Sequence, residues 1–160
     1  MSAPERPLRA GEILEALSRG GVEFVVVGGI AVQTHGYIRS TRDVDIVTSP
    51  AAPAATRLSQ ALSALGAEEI GRNAHLTRFD TRSGRLDVLD LEEVAGAPGS
   101  FDELRRRALV VELDGIEIPV AGLDDLVRMK RAAGRPQDLI DIGALTRDDE
   151  ELEREARQST

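Results

Sequence analysis

The sequence contains no cysteine and no tryptophan, and only one tyrosine and three phenylalanines occur among its 160 residues. The absence of cysteine excludes disulfides and thiolate chemistry. Because large aromatic side chains are scarce, the hydrophobic core must be aliphatic, built chiefly from Val, Leu, Ile and Ala. The length is sufficient for one domain with such a core.

Basic residues are outnumbered, since 28 acidic side chains against 20 basic ones give a formal net charge of −8. This balance disfavours binding of long DNA through a broad basic surface, but it leaves room for a small nucleotide or a local basic groove. No apolar run approaches the length of a membrane span, and residues 1–9 lack the pattern of a secretory signal. We therefore expect a cytoplasmic protein that does not bind membranes.

The hydrophobic pattern predicts an α+β domain with a mixed β-sheet flanked by helices. The largely apolar run at residues 22–27, which ends in three valines, is typical of a strand that is covered on both faces. An Asp-Gly pair predicts a hairpin between residues 109–113 and 116–120. Helices at residues 122–133 and 136–146 are expected to close the domain.

The predicted domain covers residues 10–146. The preceding residues, 1–9, contain two prolines and mixed charges, and we predict that they form a flexible leader. Residues 147–160 are nearly all charged or polar, and we predict a charged tail that is a frayed or solvated helix.

A glycine pair and two closely spaced aspartates are the main candidates for a functional site. Gly28 and Gly29 follow the apolar run directly, and Asp43 and Asp45 lie on the next predicted strand. Because side chains alternate along a strand, both carboxylates face the same side. Glycines let backbone N–H groups approach a phosphate, and two hard carboxylates suit magnesium. The alternative is a tight strand-to-helix turn without a ligand.

A Gly-Gly pair followed by Asp-x-Asp in a strand resembles the signature of the DNA polymerase beta-like nucleotidyltransferase superfamily. The segments at residues 39–45 and 129–141 are most similar to small bacterial nucleotidyltransferases of the abortive-infection and toxin–antitoxin type. The resemblance covers about residues 10–146. It implies a nucleotidyltransferase fold and the transfer of a nucleoside monophosphate from a nucleoside triphosphate to an acceptor hydroxyl. The implied cofactor is Mg²⁺, with Mn²⁺ as the alternative.

Two carboxylates are too few to hold two metal ions, so a third is expected from a neighbouring strand, as in the superfamily. Asp87 lies between apolar residues on a predicted strand, and it is our candidate for the third metal ligand and for the general base. Asp90 is a competitor, but it lies at the strand end beside two glutamates, where a solvated loop acid explains it. The alternative for Asp87 is an outward-facing charge on a half-exposed strand. The predicted catalytic and metal-binding set is thus Asp43, Asp45 and Asp87.

Four further side chains are candidates for nucleotide binding together with the glycine pair. Arg39 and Arg42 either bind phosphate or act as counter-ions for the acidic cluster. Thr41 shares a face with Asp43, where its hydroxyl would contact phosphate or a metal-bound water. Lys130 resembles a lysine of the family that we place on the triphosphate, although a solvated helix face explains it equally well.

Three other polar residues receive structural assignments. Asp138 and Asp141 lie in the first turns of the last predicted helix, where acids interact favourably with the helix dipole. His75, at the start of a strand, is expected to be hydrogen-bonded rather than catalytic. No His/Cys arrangement predicts zinc, and no nucleophile elbow is present.

The resemblance implies an RNA end or a protein as acceptor, within a toxin–antitoxin or phage-defence system, and the small size favours a partner that supplies the acceptor. A second hypothesis is a non-catalytic module that keeps the fold and acts through a protein partner, as an antitoxin would. Gly29, where the superfamily often has serine, and the acidic surface are compatible with that hypothesis. The presence of three mutually repelling carboxylates argues against it.

Overall fold

The structure is a computed structural model that describes the backbone of residues 6–159, and the side chains of residues 147–153 and 155 lie outside the described part. Strands and helices are numbered separately along the chain. The strands are β1 (Phe24–Val27), β2 (Asp43–Thr48), β3 (Glu68–Arg72), β4 (Leu76–Thr81), β5 (Gly84–Leu89), β6 (Leu109–Leu113) and β7 (Ile116–Val120). The helices are α1 (Ala10–Arg19), α2 (Gly28–Thr34), α3 (Ala52–Ala64), α4 (Phe101–Arg106), α5 (Leu123–Ala133) and α6 (Pro136–Gln158), with a 3₁₀ helix at Leu91–Glu93.

The strand that carries the first two candidate acids, β2, lies at the centre of the sheet. Among the described residues the strand order is β3-β4-β5-β2-β1-β7-β6. β2 pairs in antiparallel fashion with β1 and in parallel with β5, and β1 pairs in parallel with β7. Antiparallel pairs complete both sides of the sheet. This mixed sheet with flanking helices confirms the predicted α+β class.

The core is mainly aliphatic, as the composition predicts. Every residue of β1 is buried, which agrees with a strand covered on both faces. On β2, Val44 and Ile46 are fully buried, whereas Asp43 and Asp45 are only partly buried. Helix α1 packs on β2, β5 and β7, and α3 packs on α1. The alternation along β2 therefore directs its apolar side chains into the core and its carboxylates to the other face.

The β6–β7 hairpin has the predicted strand bounds. Its turn residues Asp114 and Gly115 have positive φ angles of 50° and 78°, as two-residue hairpin turns of the primed type require. Within the described residues, no helix combines the length and the apolar character needed to cross a bilayer.

The last helix differs from its predicted bounds, because α6 continues to Gln158 instead of ending at Thr146. The helix predicted at residues 136–146 and the frayed or solvated helix predicted for the tail are thus one continuous element. Residues 147–158 are rich in Glu and Arg, and these residues favour a helix without an apolar stripe. Much of the predicted charged tail, residues 147–160, has side chains outside the described part.

Residues 6–9 are the described part of the predicted leader, and they lie against the β4–β5 hairpin. The backbone N–H of Arg9 donates to the carbonyl of Ser83 at 2.7 Å. This contact places the start of α1 beside the turn that joins β4 and β5. Residues 1–5, the rest of the predicted leader, lie outside the described residues.

Substitution of Ile46 by Ala should test the central position of β2. Ile46 is fully buried, so we expect its truncation to lower the free energy of unfolding by about 2–5 kcal/mol. Ile70 on edge strand β3 is 50% exposed and provides the control, for which we expect a change within about 0.5 kcal/mol. Urea denaturation measures both changes, and equal losses in the two variants would contradict the fold described above.

Candidate active site

Three carboxylates meet at the centre of the sheet. The parallel pairing of β2 with β5 puts Asp45 directly opposite Asp87, with Asp43 two residues earlier on β2. One oxygen from each of the three side chains lies within 4.8 Å of the corresponding oxygens of the other two. The structure thus brings all three predicted acids together. Asp90 is not a member of this group, because it caps the 3₁₀ helix by accepting from the N–H of Glu92 at 3.1 Å.

Asp45 is the most strongly perturbed member of the group. Its burial, together with the negative charges of Asp87 and Asp43, raises the pKa of Asp45 from its ordinary value to about 7. The positive charges of Lys130 and Arg135 offset this effect only in part. Asp45 makes no hydrogen bond or ion pair within the described part of the chain. A cation placed beside Asp45 would therefore be strongly favoured.

Two arginines lie at the ends of the carboxylate group. Arg78 on β4 forms a two-pronged ion pair with Asp87, with N–O distances of 2.8 and 2.9 Å. Arg85 on β5 approaches Asp43 to 4.0 Å. The two outer acids are thus close to fixed cations, whereas the central acid, Asp45, is not.

The glycine turn is in close contact with the acids. Val27, the last residue of β1, pairs with Asp45, so the turn begins directly beside that carboxylate. Gly28 has a φ of 69°, and a Cβ atom there would lie 2.2 Å from Oδ2 of Asp45. Any side chain at this position would collide with the carboxylate. The glycine at 28 is therefore required both by the backbone conformation and by the close approach.

The neighbouring glycine, Gly29, packs against the loop that leads into β2. A Cβ at Gly29 would lie 2.6 Å from the hydroxyl oxygen of Thr41 and 3.2 Å from Nη1 of Arg39. The Thr41 hydroxyl donates to the carbonyl of Asp43 at 3.2 Å. The space that a larger residue at 29 would use is thus filled by Thr41, which brings its hydroxyl to the glycine turn.

A buried network of opposite charges forms the wall that α5 and α6 contribute. Lys130 is only 6% exposed, and its Nζ lies 3.2 Å from Asp138 and 2.9 Å from Asp141. Asp138 also accepts from the guanidinium of Arg135 at 2.7 Å. Asp141 accepts two hydrogen bonds from Arg39, from Nε at 2.8 Å and from Nη2 at 2.9 Å, and this ion pair connects the loop before β2 to α6.

The structure therefore shows a larger part for Asp138 and Asp141 than the helix dipole alone. Although burial by itself would raise their pKa values, hydrogen bonds from cationic partners outweigh it and hold the pKa of both aspartates below the ordinary range. The partners of Asp141 are Arg39, Lys130 and Gln137. Two of the predicted nucleotide-binding cations, Arg39 and Lys130, are thus already paired by these acids.

All nine predicted site residues line one pocket of about 570 Å³. This volume lies within the usual range of small-molecule sites, roughly 300–1,000 Å³. Arg42 lines the pocket as an exposed side chain, and within the described residues it makes no hydrogen bond or ion pair. It is therefore available to a negatively charged ligand.

Sequence reasoning missed Arg78 and the roles of Asp138 and Asp141. A signal for Arg78 lay in the short connection between β4 and β5. With a two-residue loop at Arg82 and Ser83, Thr81 pairs with Gly84. Counting three residues further along each strand places Arg78 opposite Asp87. The partners of the two later aspartates depend on long-range packing, and no local pattern indicates them. His75 is hydrogen-bonded to the carbonyl of Glu93, as expected for a structural histidine.

Substitution of Asp45 by Asn should change stability in a pH-dependent way. The unfolded chain loses this proton near pH 4, whereas the folded protein keeps it until about pH 7, so Asp45 lowers the unfolding free energy as pH rises between these values. We expect the stability of Asp45→Asn relative to the wild type to increase from about pH 5 to about pH 8. Urea denaturation in EDTA measures the difference, and a pH-independent difference would contradict the raised pKa.

Asp141→Asn is the matched control, and the pH dependence of its stability relative to the wild type should have the opposite sign. The pKa of Asp141 is lowered, so its stabilising contribution is present above about pH 4 and is lost as pH falls through the folded-state pKa. At neutral pH the substitution leaves Lys130 and Arg39 without a carboxylate partner at this position. We expect the free energy of unfolding to fall by roughly 3–5 kcal/mol.

Solved structures with the same fold include proteins that bind or modify antibiotics. ANT(2″)-Ia in complex with adenylyl-2″-tobramycin is 16% identical, with a TM-score of 0.58 over 92% of this chain and 93% of that chain. The lincosamide antibiotic adenylyltransferase LnuA, bound to lincomycin, is 19% identical, with a TM-score of 0.57 over 88% and 98%. A Thermotoga maritima protein described as a nucleotidyltransferase is 18% identical, with a TM-score of 0.52 over 92% and 89%. At these identities the likeness shows the fold alone.

A family model provides the direct assignment. None of the curated protein sequences matches the chain. The model described as "Nucleotidyltransferase of unknown function (DUF6036)" matches residues 10–147, a range that contains the glycine turn, the three carboxylates and the charged wall of α5 and α6. The match confirms the resemblance to nucleotidyltransferases and the nucleotidyltransferase fold. This chain therefore belongs to the DUF6036 family of nucleotidyltransferases.

Proposed function

We propose that this protein is a magnesium-dependent enzyme that transfers a nucleoside monophosphate from a nucleoside triphosphate to an acceptor hydroxyl and releases pyrophosphate. The observation that carries the proposal is the group of Asp43, Asp45 and Asp87, whose oxygens lie within 4.8 Å of one another. The group lines the same pocket as the glycine turn.

The donor set fits a hard divalent cation. All three candidate ligands are carboxylates, and oxygen donors are those that Mg²⁺ and Mn²⁺ prefer. A bound metal would neutralise charge on the transferred phosphate and lower the pKa of the attacking hydroxyl. Asp45 would provide the strongest attraction for the ion, because it is the acid that lacks a cation partner within the described residues.

The order of strands across the sheet suggests where each substrate lies. The glycine turn follows β1, Asp45 lies on the neighbouring β2, and Asp87 lies one strand further, on β5. We place the triphosphate on the β1 side, where glycine backbone can approach it closely. The acceptor hydroxyl then lies on the side of Asp87. Asp87 is our candidate to accept its proton.

The phosphate contacts are assigned from the pairing state of each cation. Arg39 and Lys130 line the pocket but are held by Asp141, so they act as fixed positive charges in its wall. Arg42 is free to bind a phosphate group directly. The Thr41 hydroxyl lies beside Gly29 and would donate to the same group in exchange for its hydrogen bond to the carbonyl of Asp43.

The acceptor that we propose is an RNA end or a protein hydroxyl, within a toxin–antitoxin or phage-defence system of the cytoplasm and brought by a partner. A small antibiotic-like molecule is a second candidate. It is favoured by ANT(2″)-Ia and LnuA, which are seen with adenylyl-tobramycin and lincomycin and share this fold over 93% and 98% of their own lengths.

Transfer of label from α-³²P nucleoside triphosphates tests the function. We expect label to enter RNA, protein or small molecules of a cell extract with Mg²⁺, and to fall at least about 100-fold in Asp45→Asn. Asp90→Asn is the matched control, because it changes a neighbouring acid outside the carboxylate group and should retain full activity. The labelled fraction identifies the acceptor class. If the folded protein neither binds nucleoside triphosphate nor transfers label under any metal condition, the proposal is overturned in favour of a non-catalytic module.

Arg42→Gln tests the proposed phosphate contact. Because Arg42 forms no ion pair in the described structure, its replacement should leave the free energy of unfolding unchanged within about 0.5 kcal/mol. We expect nucleoside triphosphate binding in the presence of Mg²⁺, measured by calorimetry, to weaken about 10-fold. The exposed Arg57, which donates to the carbonyl of Gly21 outside the pocket, gives the control substitution Arg57→Gln. Equal binding by both variants would remove Arg42 from the site.

A further inference from the structure

Three side chains form a straight row across neighbouring strands. Asp45 on β2 is opposite Asp87 on β5, and Asp87 is opposite Arg78 on β4. Because directly opposed residues project from the same face of a sheet, all three face the pocket, and each of them lines it. Arg78 thus continues the row of carboxylates with a positive charge at its outer end.

Arg78 forms hydrogen bonds to both carboxylate oxygens of Asp87. Its Nε donates to Oδ1 at 2.8 Å and its Nη2 donates to Oδ2 at 2.9 Å. The Asp87 side chain is only 3% exposed, so water has little access to replace these donors. A two-pronged pair fixes the plane of the carboxylate as well as its position.

The pair does not withdraw Asp87 from the acidic group. With Arg78 bound, an oxygen of Asp87 still lies within 4.8 Å of the oxygens offered by Asp43 and Asp45. A carboxylate has about four lone-pair sites, and the two donors of Arg78 use two of them. The arrangement therefore leaves Asp87 able to accept an arginine on one side and a cation on the other.

We propose that Arg78 is a positioning residue that holds Asp87 in its metal-binding orientation and thereby sets the affinity of the acidic group for divalent cations. The inference rests on the proposed metal-dependent function. Carboxylates that bind metals are themselves hydrogen-bonded, and loss of such a partner costs about 10- to 100-fold in metal affinity. Without Arg78, the Asp87 side chain is free to rotate, and its repulsion from Asp45 would turn it away.

Metal binding in the absence of nucleotide is the direct test. Calorimetry and Mn²⁺ paramagnetic resonance give the dissociation constants of Mg²⁺ and Mn²⁺ for the wild type and three variants. We expect Arg78→Gln to bind about 10- to 100-fold more weakly and Arg78→Lys to lie between it and the wild type, because lysine supplies the charge without the two-pronged geometry. Arg72→Gln is the control, since Arg72 on β3 pairs with Glu69 on the exposed edge, and it should bind as the wild type does.

The possible outcomes separate this inference from the proposed function. Unchanged metal affinity in Arg78→Gln, with or without lower thermal stability, overturns the positioning role and leaves the metal-dependent function standing. Tighter binding in that variant also overturns it, because Arg78 would then act as a charge that competes with the metal. A wild-type protein that binds no divalent cation overturns both. If Arg78→Gln does not fold, the comparison of Arg78→Lys with the wild type decides in the same way.

Discussion

Repulsion between carboxylates on adjacent strands is the constraint to which the site must respond. The parallel pairing of β2 and β5 puts Asp45 beside Asp87 on one face of the sheet, where like charges are unfavourable. The chain offsets this repulsion at the edges of the group, with Arg78 on Asp87 and Arg85 near Asp43. The central carboxylate, Asp45, has no ion-pair partner among the described residues, and Lys130 and Arg135 compensate its charge only in part. Burial and this repulsion together raise the pKa of Asp45 to about 7.

The second charged network of the pocket follows the opposite rule. Lys130 and Arg39 are matched by Asp141, and Asp138 is matched by Lys130 and Arg135, so the buried charges of the wall are paired. Ion pairs fix the relative positions of the elements that they join, whereas a buried charge without a partner is energetically costly. The pocket thus combines a wall of ion pairs, which joins α5 and α6 to the loop before β2, with a carboxylate group whose negative charge is only partly balanced by the described residues.

Local patterns were sufficient to predict the parts of the fold that depend on them. Alternation along β2 placed Asp43 and Asp45 on one face, and the order of the glycines, strand and acids indicated the family. Asp87 was selected because it lies between apolar residues of a predicted strand, and the resemblance implies a third carboxylate on such a strand. The pairing of Asp141 with Arg39 could not be predicted in this way, since the two residues are 102 positions apart and only the packing of α6 brings them together. The closing helix and the helical tail were predicted as separate segments because the apolar pattern stops at residue 146, so the continuity of α6 to Gln158 was not predicted.

The separation between Arg39 and Asp141 also has a consequence for the order in which the site is assembled. A growing polypeptide presents the glycine turn and the strands of the three carboxylates first, and the residues that pair with Arg39 and Lys130 follow from α6 only afterwards. Before α6 has docked, the carboxylate group lacks the charged wall beside it, and the loop carrying Arg39, Thr41 and Arg42 lacks the ion pair between Arg39 and Asp141. A partly synthesised chain would therefore have all three carboxylates of the group but not the charged wall of α5 and α6 that completes the pocket around them.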